Sequence, residues 1–340
     1  MLHFPHAKIN LGLRVVGKRP DGYHDIETVM LPIGWSDALE AVPLALSAEQ
    51  GAGSGERGRT ERRKDEGTEG RRDEGTEGRR DEGTERRRDI AWPVTKNDWQ
   101  TLKESGILYT RTGISVPGDI GDDLVVKASR LFKAYAEAKG YSLPDIQAHL
   151  HKCIPPGSGL GGGSSDGASM LMLLAELFAD ALPLKKVQKE VARMATQLGS
   201  DCLFFMHNQP MQVMGRGDLI RPVDIPSIKG MHLVVVVPPI QINTAEAYRT
   251  IWPNRFSVPV IDTIHEDPGM WRAMLTNDFE AVIVRKHPTI KEIKEKLYEM
   301  GAVYASMSGT GSAVYGIFES NPGPSVFDDS EGYRVWSGVI

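Results

Sequence analysis

The residues best suited to chemistry form the stretch Pro155-Pro156-Gly157-Ser158-Gly159-Leu160-Gly161-Gly162-Gly163-Ser164-Ser165. It lies between a run with strand alternation, residues 146–153, and an apolar run of helical character from about residue 165. A glycine loop entering a helix suits a polyphosphate. Backbone N–H groups and the positive end of the helix face the anion, and a missing Cβ lets the backbone approach it. The loop has no Lys-Ser or Lys-Thr pair to close it as a Walker A loop, and its glycine spacing does not fit a dinucleotide fingerprint. Ser164 and Ser165 can cap the following helix, touch a phosphate or ligate Mg²⁺.

Two charged residues sit in apolar surroundings and need an explanation. Asp201 follows Gly199 at a helix end and precedes Cys202-Leu203-Phe204-Phe205. A carboxylate there must find partners or titrate high, which makes it a candidate base. Lys8 falls in an apolar strand-like run, where an ammonium needs a carboxylate, a phosphate or a path to solvent. Asn10, two residues on, shares its strand face.

These residues must be positioned by elements that the pattern predicts. Residues 6–16 and 25–33 read as strands joined by the turn signal Pro20-Asp21-Gly22, residues 37–46 as a third strand and 107–116 as a returning one. Leu124, Val125, Ala128, Leu131, Phe132 and Tyr135 share a helical face that Gly140 ends, and residues 184–198 form another helix before Gly199. The second half starts near residue 225. A valine-rich strand covers 231–237, helices cover 244–251, 271–284 and 288–300, and strands 303–307 and 312–318 flank Ser308-Gly309-Thr310-Gly311. The class is α+β, with residues 321–340 an irregular tail.

The chain has 340 residues, 40% of them hydrophobic and 25% charged, enough for about two domains with sizeable cores. A net charge of −5 excludes a wholly basic nucleic-acid coat. Two cysteines, Cys153 and Cys202, make no disulfide framework, and no apolar run approaches the ~20 residues of a membrane span. With nothing like a signal peptide at the start, a cytoplasmic protein that engages neither membrane nor nucleic acid is expected. Residues 53–89 contain no hydrophobic residue, and RRDEGTEG recurs there with a period of eight, placing Asp65, Asp73, Asp81 and Asp89 in register. Such a segment cannot offset its ordering entropy, so a disordered insertion is expected at about 47–89.

Three motifs occur in an order that resembles the GHMP kinases: His6-Ala7-Lys8-Ile9-Asn10-Leu11, the glycine loop with Asp166-Gly167-Ala168-Ser169, and Met307-Ser308-Gly309-Thr310-Gly311-Ser312-Ala313. Arg19-Pro20-Asp21-Gly22-Tyr23-His24, Leu198-Gly199-Ser200-Asp201 and Thr244-Ala245-Glu246-Ala247-Tyr248 narrow the resemblance to the branch that phosphorylates a cytidyl-linked methylerythritol. The similarity covers about residues 3–46 and 107–318. It implies an N-terminal domain, 1–224, like ribosomal protein S5 domain 2, and a ferredoxin-like C-terminal domain, 225–320. It also implies ATP and Mg²⁺ as cofactors, a small-molecule substrate carrying a cytidine diphosphate group, and a step in the non-mevalonate route to isoprenoid precursors.

By the same resemblance, Lys8 and Asp201 are the catalytic pair. Lys152, which matches a position near adenine, and the loop from Pro155 to Ser165 bind ATP. Asn10 and Thr244 contact the substrate, while Tyr23 and Tyr248 stack on cytosine and His24 bonds its edge. Asp123-Leu124 stands where the family commonly has Asn-Leu, with Asp123 serving as a helix cap. Cys202-Leu203 replaces the usual Val-Pro, with Cys202 a small buried residue. Another small-molecule GHMP kinase is the alternative, and a nucleotide-binding regulator on the same fold is a third reading. Tyr23, His24 and Tyr248 distinguish the first, because a substrate without a base has no use for them.

Overall fold

A computed structural model describes residues 1–44, 100–104, 106–182, 184–253, 258–323, 327 and 331–340. The insertion expected at 47–89 lies outside the described residues. The elements in order are β1 (Leu2–His3), β2 (His6–Lys18), β3 (His24–Ser36), β4 (Ala38–Pro43), β5 (Gln100–Glu104), β6 (Ile107–Gly113), α1 (Leu124–Ala138), β7 (Ile146–Lys152), α2 (Gly162–Leu177), α3 (Leu184–Leu198), α4 (Cys202–His207), β8 (Met211–Gly215) and β9 (Leu219–Pro222). Then come β10 (His232–Val237), α5 (Thr244–Thr250), α6 (Val260–Ile264), α7 (Pro268–Met274), α8 (Glu280–Lys286), α9 (Thr289–Glu299), β11 (Tyr304–Met307), β12 (Val314–Phe318) and β13 (Arg334–Val339).

Three sheets result, ordered β1-β4-β7-β6-β5, β2-β3-β8-β9 and β11-β12-β10-β13. The first is antiparallel except where β6 runs parallel to β7, and its apolar face packs on α1, α2 and α3. The other two are antiparallel throughout. The division expected near residue 225 falls between β9 and β10. Even so, Ile9, Leu11 and Leu31 share a core with Leu233, Val235 and Tyr315 from beyond it. Strand β2 is the spine of that contact. Its Leu13 exchanges backbone bonds with Thr276 and Asp278 (2.9 and 2.8 Å), and its Asn10 carbonyl accepts from the Tyr315 hydroxyl at 2.8 Å.

Two expectations are corrected here. The helix expected over 271–284 is broken into α7 and α8. Between them the Asn277 side chain donates to the Met307 and Gly309 carbonyls (2.9 and 2.8 Å), and Asp278 accepts from the Val15 N–H at 2.8 Å. Tertiary partners for Asn277 and Asp278 outbid the local helix propensity of the run. Residues 334–339, expected as irregular tail, form β13 and cover the edge of β10. Only the neighbouring strand supplies the hydrogen bonds that fix them, so local composition carries no sign of it. The hairpin β8–β9 was not foreseen either.

The glycine loop and the Ser308–Gly311 turn clasp one another. Gly159 has φ +86°, and a Cβ on it would lie 2.2 Å from the Ser308 carbonyl oxygen; one on Gly311 would lie 2.1 Å from the Gly159 nitrogen. Ser308 Oγ donates to the Gly159 carbonyl (3.1 Å), and the Ala313 N–H donates to the Ser158 carbonyl (2.8 Å). At Gly159 the missing Cβ therefore makes room for protein backbone, whereas at Gly163 a Cβ would meet nothing within 4 Å. Gly159→Ala is expected to cost about 2–4 kcal/mol of stability, combining steric clash with a left-handed backbone. Gly163→Ala, inside α2, is expected to add about 0.5–1 kcal/mol. Urea unfolding of the two variants measures the difference, and equal effects would refute the clasp.

Candidate active site

The three motifs meet around one cavity of about 470 Å³. Its wall includes Lys8 and Asn10 from β2, Lys152 at the end of β7, and the loop residues Pro155, Pro156, Gly157, Ser158, Gly159, Gly161, Gly162, Gly163 and Ser164. Ser200, Asp201, Thr244, Tyr248, Gly309 and Thr310 complete it on the far side. Helix α2 opens at Gly162 after a left-handed Gly161, φ +73°, and no side chain caps its amino end. The positive end of a helix sixteen residues long thus lies at the cavity wall with no side-chain cap.

Two loop residues are not in the cavity wall. Leu160 is fully buried, and its carbonyl accepts the Lys8 N–H at 2.9 Å, so it holds the loop to β2. Ser165 is 1% exposed and turned into the core. Successive helix residues point about 100° apart, so Ser164 at the wall is better placed than Ser165 for a phosphate or a metal. Neither serine caps α2, which begins before both. Ser158 is buried with its hydroxyl tied to the Pro155 carbonyl (2.6 Å).

Lys8 and Asp201 come together although 193 positions separate them, with Nζ 3.7 Å from Oδ2. Lys8 is 4% exposed. Burial pushes its pKa below the usual lysine value, and Asp201 partly restores it. The ammonium also donates to Asn10 Oδ1 at 2.5 Å, while Asn10 Nδ2 donates to Thr28 Oγ1 at 3.1 Å. Asn10 itself is 1% exposed, so its clearest task is to aim Lys8. Asp201 precedes α4 but caps nothing, which leaves its carboxylate for the cavity.

At the opposite end Lys152 is buried between two carboxylates. Nζ donates to Asp37 and, at 2.6 Å, to Asp166. Burial alone would discharge it, but Asp166 and Asp37 outweigh that and raise its pKa. Two acids share one ammonium, and Asp166 is the acid pushed well above the usual carboxylate range, first by its burial. Asp123 does not cap α1 through its side chain. Its carboxylate instead accepts Arg111 Nη1 (2.7 and 2.8 Å) and the Tyr109 hydroxyl (2.9 Å). A buried guanidinium explains why an acid stands here. Cys202 is fully buried, with its thiol raised to about 12 by burial.

A second cavity, about 480 Å³, shares Ile26, Ser200, Arg216 and Tyr248 with the first. Tyr23 and His24 join Tyr248 in its wall. The rings of His24 and Tyr248 lie 5.5 Å apart, tilted by 42°. Tyr23 is 60% exposed at the mouth, reached through the turn whose Gly22 takes φ +85°. His24 is buried, and its Nε2 has no hydrogen-bond partner among the described residues. Burial, with help from Lys18, lowers its pKa, so the ring is neutral at neutral pH. Thr244 lines the first cavity, 3.2 Å from the Thr310 hydroxyl.

Known proteins resemble this chain in sequence and in fold. Family models described as the GHMP kinases N terminal domain and the GHMP kinases C terminal match residues 123–216 and 260–329. The 4-diphosphocytidyl-2-C-methyl-D-erythritol kinase of Cytophaga hutchinsonii is 35% identical over 95% of this chain and 94% of its own. The kinase of that name from Bacteroides thetaiotaomicron is 38% identical over 94% of this chain and 92% of its own. The chain belongs to the GHMP kinase family. A crystal structure of 4-(cytidine 5'-diphospho)-2C-methyl-D-erythritol kinase shares the fold at TM-score 0.65 and 23% identity, covering 99% of this chain and 98% of that one. Streptococcus pneumoniae phosphomevalonate kinase, in complex with phosphomevalonate and AMPPNP, shares it at 0.57 and 11%, with 100% of both chains covered.

As a GHMP kinase the chain is a phosphotransferase, and among its described residues no helix is long and apolar enough to cross a membrane. Several site residues of this GHMP kinase escaped the motif reading. Asn277 orders the third motif through two carbonyls, and Asp37 and Arg111 hold Lys152 and Asp123. Their neighbours in space are far away in sequence, so spacing carried no signal for them. The Lys152 cluster generates a prediction. Removing the ammonium leaves buried Asp37 with only the Cys153 and Ile154 N–H groups and Asp166 without its partner, so Lys152→Met is expected to cost about 3–5 kcal/mol. The midpoint of urea unfolding checks this, and an unchanged midpoint would refute it.

Proposed function

We propose that the protein transfers the γ-phosphoryl group of ATP to the 2-hydroxyl of 4-diphosphocytidyl-2-C-methyl-D-erythritol, giving the 2-phosphate and ADP in the non-mevalonate route to isoprenoid precursors. The observation that carries this is the junction of two cavities. A site with a neutral histidine and two tyrosines opens directly onto the Lys8–Asp201 pair. An aromatic pocket with an unpartnered ring nitrogen suits a nucleobase, read by stacking and an edge hydrogen bond. The full-length similarity to kinases that bear this substrate's name supports the same reading.

In this reading the first turn of α2 and the loop from Pro155 to Ser164 receive the phosphates of ATP. Lys152, with Val116, Leu124 and Leu150 nearby, lies on the adenine side. The Ser164 hydroxyl, in the cavity wall, would offer an oxygen ligand to Mg²⁺ carried on ATP, and that ion would neutralise phosphate charge. Cytosine lies between Tyr23 and Tyr248, with its edge on His24, which places the methylerythritol beside Asp201, Asn10 and Thr244. The 2-hydroxyl oxygen forms its bond to the γ-phosphorus as the bond to the bridging oxygen of ADP breaks, and the hydroxyl proton passes to Asp201. Lys8, 3.7 Å from that carboxylate, faces the charge that builds on the transferring group.

Release of ADP by purified protein with Mg²⁺-ATP, compared across the cytidyl substrate, mevalonate, galactose and homoserine, tests the assignment. Turnover on the cytidyl substrate alone is expected, and Asp201→Asn is expected to lower kcat by about 10²–10⁴ while ATP still binds. Turnover on another alcohol would discard the base-pocket argument. The pH profile carries two further expectations. Lys8 titrates below 10.5, so kcat should fall on the alkaline side before that value as the ammonium is lost, and Lys8→Arg should remove that limb. His24 titrates below 6.5, so KM for the cytidyl substrate should climb only under that pH, where the ring gains a second N–H and loses its acceptor nitrogen. A rise in KM that begins above 6.5 would contradict a neutral, buried His24.

A further inference from the structure

Arg216 occupies the tip of the β8–β9 hairpin, in Gly215-Arg216-Gly217-Asp218. Both glycines take positive φ, +66° and +100°. The Gly217 N–H donates to the Met214 carbonyl (3.1 Å), and the Arg216 N–H donates to Asp218 Oδ1 (3.0 Å). A Cβ on Gly217 would lie 3.1 Å from the Cβ of Ser200, so the turn packs against the residue just before Asp201. Glycine in this turn is thus what lets an arginine stand beside the reaction centre.

The side chain reaches from there toward the base pocket. Its guanidinium carbon sits 5.2 Å from the centroid of the Tyr23 ring. Arg216 is also one of the few residues in the walls of both cavities. The lining of the base pocket carries three cations, Lys18, Arg216 and Arg249, and no carboxylate, in a chain whose net charge is −5. A pocket meant only for a neutral base has no need of that excess. A guanidinium can lie on an aromatic face while its N–H fork grips phosphate oxygens, which an ammonium does less well.

We propose that Arg216 binds the diphosphate of the cytidine diphosphate substrate and, lying on Tyr23, draws that ring over the base. The proposal rests on the cytidyl-kinase reading above. With cytosine in the second cavity and the acceptor hydroxyl at Asp201, the diphosphate must span the junction, and Arg216 is the cation at that junction. It acts as a substrate-contacting specificity residue. The rejection of alcohols that lack a nucleoside diphosphate follows in part from an arginine left without its anion.

Titration of the full-length protein with cytidine diphosphate and with cytidine, followed by ligand-observed NMR, tests this in the wild type, Arg216→Gln and Arg216→Lys. The glutamine variant is expected to bind cytidine diphosphate at least about tenfold more weakly while its affinity for cytidine stays within about twofold. The lysine variant is expected to fall between. In turnover, KM for the cytidyl substrate should rise in Arg216→Gln with KM for ATP unchanged. Equal losses for the two ligands would make Arg216 a cover for the base alone and overturn the diphosphate contact. A rise in KM for ATP instead, or no change in either ligand, would also overturn it. Wild-type protein that binds neither cytidine compound would overturn the cytidyl reading itself, a failure seen before any variant is compared.

Discussion

The ammonium of Lys8 is the constraint around which the rest is arranged. An unpaired charge in an apolar strand costs several kcal/mol, and Lys8 is almost wholly buried. Asp201 from beyond α3, Asn10 from the same strand face and the Leu160 carbonyl from the glycine loop all converge on it or on its backbone. These contacts tie β2, the loop before α2 and the start of α4 together. The Lys8–Asp201 pair is thereby held by contacts that the fold needs in any case, with Asp201 in the cavity wall.

The second device is the clasp between the two glycine segments. Backbone meets backbone at Gly159 and Gly311 with no space for a Cβ, and Ser308 and Ala313 add hydrogen bonds across it. The turn at residues 308–311 is fixed in turn by Asn277, which reaches it from the break between α7 and α8. The glycine loop therefore depends on the β11–β12 sheet as much as on its own strand and helix. That dependence explains why the two halves share one core across β2.

Charge is graded along the cavity. Near Lys152 two acids share one cation, and the cluster is buried and self-contained. At the centre Lys8 faces Asp201, and at the far mouth the cations Lys18, Arg216 and Arg249 stand without an acid in the pocket lining. Anionic groups are drawn toward the middle, where the amino end of α2 near Lys8 adds its dipole, and toward the cations of the far mouth. Neutral His24 and Tyr248, whose hydroxyl burial raises to about 12, provide uncharged hydrogen-bonding groups among these charges.

The sequence by itself determined the motifs and many of the elements. The period of two in β7, the helical face of α1 and the limits of α3 follow from local patterning, which short-range sterics and burial impose. The turns of the glycine loop were legible for the same reason, because a positive φ, as at Gly157, Gly159 and Gly161, is a property of single residues. Only the tertiary structure decided what those residues touch. Gly159 proved to make room for Gly311, Asp123 to answer a buried guanidinium rather than cap its helix, and Ser165 to face the core while Ser164 faces the cavity. The break at Asn277, strand β13 and the place of Arg216 depend on partners tens to hundreds of residues away. Hydrogen bonds and ion pairs between such distant groups leave no periodicity in the chain, and no local pattern could have revealed them.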